Sequence, residues 1–83
     1  MRTQLQQAHD AAQTPEQQAH RAAQRALNAQ RAAEADYYRA VGSPAQYTAE
    51  QRAALKAAAD ERTAEYERAR EQHSRLVWGR IRG

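Results

Sequence analysis

The chain contains no cysteine and no phenylalanine, and only three glycines and two prolines interrupt its 83 residues. Without cysteine there is no disulfide framework and no thiolate metal site. With so few glycines there is no Gly-rich phosphate loop. Long apolar runs are missing as well, so nothing here is expected to span a bilayer. The opening MRTQLQQAHD lacks the apolar centre of a signal peptide. Together these absences predict a cytoplasmic protein with no transmembrane segment.

Large aliphatic side chains are also scarce. They amount to Leu5, Leu27, Val41, Leu55, Leu76, Val77 and Ile81, a content that ordinarily points to disorder. What replaces them argues otherwise. Alanine dominates the 41% apolar fraction, and with Gln, Arg and Glu it fills the chain with good helix formers at a net charge of only +3. The composition therefore predicts one small all-α domain with a thin core. A chain this short buries about 60% of its unfolded surface, and a buried methyl group contributes roughly 0.8 kcal/mol. Such a core holds if helices approach closely or if a second chain covers the open apolar face. Dimerisation into a bundle follows as an expectation.

Local punctuation sets the boundaries. Thr14-Pro15-Glu16-Gln17 and Thr48-Ala49-Glu50-Gln51 both fit a capping box, the threonine hydroxyl and the glutamine amide each satisfying an early backbone N–H. Pro15 stands at the first helical position, where its missing N–H costs nothing. The two boxes lie one tetratricopeptide length apart, but that repeat's large-residue signature is absent. The reading is a short helix over 3–12, a long helix over 15–41 closed by Gly42, a turn over 42–48, a second long helix over 49–78, and a basic tail over 79–83 loosened by Gly79. A connection this short makes the long helices antiparallel neighbours.

Their facing seams can be sketched. Ala19, Ala22, Ala26, Ala29, Ala33 and Ala40 recur at steps of three and four, broken by Asp36. On the second helix the series is Leu55, Ala59, Arg62, Tyr66, Ala69, His73, Leu76. A turn centred near Ala45 puts Leu27 by Arg62 and Thr63, and Tyr37 and Tyr38 by Arg52 and Ala53. The short first helix would then fold over Trp78 through Leu5.

No residue set builds an active site, so the chain is expected not to be an enzyme and to need no cofactor. Tyr37 and Tyr38 are adjacent, as nucleophiles are in some DNA strand-nicking enzymes. On a helix they point about 100° apart, and His9, His20 and His73 are too scattered in sequence to gather a metal beside them. With Tyr47 they read instead as an aromatic cap on the hairpin. Glu16 and His20 share a helical face, as metal ligands do, but no second pair is placed to complete a site. Glu65–Arg68, Glu67–Arg70 and Glu71–Arg75 are spaced to solvate the second helix.

The last stretch, HSRLVWGRIRG, has no acid and holds Arg75, Arg80, Arg82 and the single tryptophan, Trp78. Core completion, a partner-binding patch and phosphate contacts are all open to it. Arg21, Arg25 and Arg31 form a weaker basic row on the first long helix. The function expected from the residues is a non-enzymatic helical interaction or adaptor protein, self-associating and docking a protein partner through Tyr37, Tyr38, Tyr47 and the Trp/Arg segment. The alternative is a nucleic-acid accessory protein using the clustered arginines.

Overall fold

A computed structural model describes residues 14–82. The expected helix over 3–12, and its contact through Leu5 with Trp78, lie outside the described residues. Within them the chain is two helices packed against each other with no strand. Helix α1 spans Pro15–Val41 and helix α2 spans Ala49–Arg82.

Both helices begin as their sequences dictate. The Gln17 N–H donates to Thr14 Oγ1 over 3.1 Å while the Thr14 N–H donates to Gln17 Oε1 over 3.0 Å. Thr48 and Gln51 repeat the exchange at 2.8 and 3.0 Å. Each box satisfies donors that the first helical turn leaves without intrahelical partners.

The corner between them is one tight turn. The Gly42 N–H reaches Tyr38 O at 2.9 Å, Ser43 N–H reaches Ala40 O at 3.3 Å, and Gln46 N–H reaches Ser43 O at 3.0 Å. Gly42 closes α1 with φ −75° and ψ −9°, a right-handed conformation open to any residue. Its glycine is not needed for a left-handed cap.

The end of α2 departs from the expected boundary. The helix does not stop at Trp78 before a basic tail; it continues through Gly79 to Arg82. A glycine inside a helix costs about 1 kcal/mol relative to alanine, too little to end a helix that other contacts hold. One such contact is on the next residue: Arg80 Nε donates to Glu16 Oε2 across the hairpin over 2.7 Å.

The helices meet with His20 opposite His73 and Gln30 opposite Thr63. These pairs put the hairpin axis between Gln46 and Tyr47, slightly beyond Ala45. On α1 the alanine series does turn inward, but only Ala19 and Ala40 are buried, with Ala22, Ala26, Ala29 and Ala33 half-buried and Asp36 exposed. Ala23, Leu27, Gln30, Glu34 and Tyr37 share the half-buried face, so the contact is rotated toward them.

On α2, Leu55, Ala59, Tyr66, Ala69, His73 and Leu76 turn inward as read from the sequence, and Arg62 does not. Its guanidinium is exposed. It turns outward to Glu65 over 2.9 Å, and Thr63 takes the inward place. The Thr63 hydroxyl donates to Ala59 O and accepts from Gln30 Nε2, both at 3.0 Å, which settles a polar pair in an interface of methyl groups.

The core is thin by any measure. Among the described residues only Ala19, Ala40 and Ala59 are buried, and no large side chain is fully enclosed. The chain exposes 6667 Å², whereas a compact monomer of its 9.4 kDa exposes about 5,000 Å². The difference exceeds the roughly 800 Å² that each partner contributes to an ordinary protein interface.

Candidate functional site

Three surfaces carry the residues singled out in the sequence. The first is the corner. Tyr37 is half-buried and lines a shallow groove with Val41, Pro44, Arg52, Ala53 and Lys56. Tyr47 is half-buried too, and Arg52 Nη1 donates to its carbonyl over 2.7 Å, clamping the turn to α2. Tyr38 is different: it stays 65% exposed, its ring tilted against that of Tyr37 at 5.6 Å between centres. Of the three corner tyrosines it is the most exposed. At the groove's edge, the hydrogen bond to Asp60 (2.9 Å), and then that carboxylate's charge, hold the Lys56 ammonium above the ordinary lysine range.

The second surface is the back of the last turns of α2. Glu71, Ser74, Arg75, Trp78, Gly79 and Arg82 line a shallow groove there. Residues 71, 75, 78 and 82 follow steps of four, three and four, so they form one stripe on the helix. Trp78 is 56% exposed in the middle of that stripe. The missing side chain at Gly79 leaves open space beside it, since a Cβ built there meets nothing within 4 Å. Core completion by the whole apolar set is therefore not what these residues do: Leu76 and Val77 turn inward, while Trp78 and Ile81 do not.

The arginines of this stretch differ in what they hold. Although the stretch contains no acid, Arg75 Nη2 reaches Glu71 at 2.7 Å one turn earlier, and Arg80 forks onto Glu16. Arg82 has no acid three or four residues before it. Arg21, Arg25 and Arg31 lie exposed on α1, apart from the Trp78 stripe.

The third surface is the open flank of the helix contact. Pro15, Gln18, Ala19, Ala22, Ala69 and Leu76 are among the residues that line a groove along it. At heptad steps from Ala22 and Ala69, Ala29 and Leu55 are half-buried, with the exposed Arg62 standing between Ala69 and Leu55. The groove mixes small and apolar side chains from both helices with Gln18 and Gln72.

The sequence reading missed one arrangement. His20 and His73, far apart in the chain, meet across the hairpin with ring centres 5.3 Å apart and planes tilted by 51°. The register that joins them was the only signal able to reveal the pair. Among the described residues no three His, Cys, Asp or Glu side chains converge on a point. Glu16, one turn before His20, has its carboxylate engaged by Arg80.

The fold and these surfaces define an antiparallel two-helix hairpin with a thin alanine interface and an exposed Trp/Arg stripe. Comparison with protein-family models, with curated proteins and with solved structures found no match. Neither described helix is long and apolar enough to cross a membrane.

Proposed function

We propose that the chain is a non-enzymatic helical interaction protein that pairs with a second copy of itself and presents its Trp78 stripe to a protein partner. The observation that carries this reading is the thinness of the core: among the described residues only three alanines are buried between two long helices. Burial on that scale does not offset the ordering of a whole hairpin, which costs of order 1 kcal/mol per residue in backbone entropy alone. Further apolar cover is needed. The flank of Ala22, Ala29, Leu55, Ala69 and Leu76 is where it would come from, because small residues on both helices allow close approach.

A second copy is the occupant that meets this need without another gene product. A two-fold contact places the same self-complementary flank on both sides, and the chain's total surface exceeds that of a compact monomer of its mass by more than one partner's share of an ordinary interface. The Trp78 stripe then stays free on the back of α2. Tryptophan and arginine are the residues most often found at the energetic centre of interfaces. With Arg82 lacking an acid of its own, the stripe suits an acidic segment with an apolar face. Tyr38 is the corner's contribution to the same outward surface.

The nucleic-acid reading draws less support. Arg75 and Arg80 already hold carboxylates, and Arg21, Arg25 and Arg31 are not continuous with Arg82. Phosphate binding needs a denser basic stripe than this.

The test is a charge placed on the flank. Ala29→Glu leaves a helix-compatible residue at a half-buried rim position, so helicity should survive while association fails. The expected result is a melting temperature that rises with concentration for the unsubstituted chain and loses that dependence in Ala29→Glu. A melting temperature independent of concentration in the unsubstituted chain rules out self-association.

A further inference from the structure

We propose that His20 and His73 form a two-histidine clasp for a divalent transition-metal ion, joining α1 to α2 across the open edge of the hairpin. The geometry is suited to it. A metal–nitrogen bond is about 2.0–2.1 Å, and the ring centre lies roughly 1.1 Å beyond the nitrogen. Two imidazoles at a tetrahedral angle on one ion therefore have centres about 5 Å apart. The two rings stand at 5.3 Å with their planes tilted by 51°, so their separation already matches that of two imidazoles sharing one ion.

The position also leaves room for the rest of a coordination shell. His20 is exposed and His73 half-buried, so water fills the remaining ligand sites. The ligand type selects the metal. Neutral imidazole favours Cu²⁺, Ni²⁺ and Zn²⁺ and not Mg²⁺ or Ca²⁺, which take oxygen ligands. Arg80 keeps the neighbouring Glu16 carboxylate occupied, which is why two imidazoles and water make up the set.

What the ion would do follows from where the ligands sit. One is on each helix, near the open end of the hairpin, where Glu16 and Arg80 make an exposed ion pair. Because an ion bridging both helices is lost when they separate, its binding energy adds to the hairpin's stability. At a free metal concentration ten times the dissociation constant, the folding equilibrium gains a factor of about 11. For a domain of this size that is a rise of about 5–10 °C in melting temperature.

The experiment uses the full chain carrying His9→Ala, so that the remaining histidine does not compete. Melting is followed by circular dichroism with no metal, with CuCl₂, with ZnCl₂ and with MgCl₂, and again after a chelator is added. The clasp predicts a rise with copper, a smaller one with zinc, none with magnesium, and reversal by the chelator. It also predicts loss of the rise when either His20→Ala or His73→Ala is added. No rise in the parent, or an equal rise in either alanine variant, overturns the proposal. Should an alanine variant fail to fold, electron paramagnetic resonance of the copper-loaded parent decides. Splitting from two nitrogens supports the clasp, and splitting from one or none overturns it.

Discussion

Gly79→Ala is the substitution whose sign depends most directly on how α2 ends. Were Gly79 the residue that terminates the helix, it would occupy the left-handed conformation common at that position, and alanine would carry a steric penalty of about 1 kcal/mol or more. In the structure no described glycine has a positive φ. Gly79 lies inside α2 with three further helical residues after it, and a Cβ there meets nothing within 4 Å. The substitution then adds helix propensity without a clash. A glycine in a helix interior is about 0.8–1.0 kcal/mol less favourable than alanine. Near a helix end, where fraying dilutes the effect, a gain of about 0.5 kcal/mol is the conservative figure. At about 4–8 °C per kcal/mol for a chain of this length, the melting temperature rises by roughly 2–4 °C. Circular dichroism at a fixed protein concentration, before and after the substitution, reads both the amplitude and the midpoint. A lowered midpoint would refute a helix running through Gly79, and with it the continuity that carries Arg80 to Glu16.

Other consequences can be checked on the same footing. Thr48→Ala removes the acceptor for the Gln51 N–H at the start of α2 and is expected to cost about 1 kcal/mol, read as a lower urea midpoint; no change would mean that the cap is redundant. Thr63→Val removes the acceptor that joins Gln30 to α2, while Gln30 Nε2 keeps its bond to Glu34 at 3.0 Å, and should cost about 0.5–1.5 kcal/mol. The double variant Gln30→Leu with Thr63→Val should lose less than the sum of the two single variants, because the hydrogen bond they share is removed only once; additive losses would show that the pair is not coupled. Arg80→Gln breaks an exposed ion pair, so its effect should be under about 1 kcal/mol and shrink further as salt rises. A large, salt-independent loss would mean that Arg80 has another role.

Much of the hairpin is legible in the sequence because its punctuation is chemical. Thr14-Pro15 and Thr48-Ala49, each with glutamine three positions after the threonine, specify helix starts through donors that must be satisfied. Pro44 marks the corner because proline cannot continue a helix, whereas Gly42 ends α1 without the left-handed conformation that glycine favours. Rotation and register are much less legible. Alanine occurs on nearly every face of α1, so the pattern Ala19 to Ala40 lacks the contrast that a row of leucines would provide. The helix turns partly away from that row, toward Ala23, Gln30 and Tyr37. On α2, periodicity alone put Arg62 inward. The deciding partner is Gln30 on the other helix, which takes Thr63, and no spacing within α2 encodes it. The His20–His73 pair was hidden for the same reason, since only the register joins the two. Gly79 misled because local propensity was weighed without the cross-helix ion pair that follows it. Among the sequence-derived surface residues, Trp78, Arg75 and Arg82 fall on one stripe, Tyr38 stands outward, and Arg80 is drawn to Glu16.

The central claim is that this thin hairpin is one half of an assembly. Sedimentation equilibrium of the full chain, over about a hundredfold range of concentration, measures that directly. The account predicts a mass that reaches twice 9.4 kDa and falls toward the single-chain value on dilution, with helicity falling alongside it. A cooperative, fully helical species holding the mass of one chain at every concentration would contradict it.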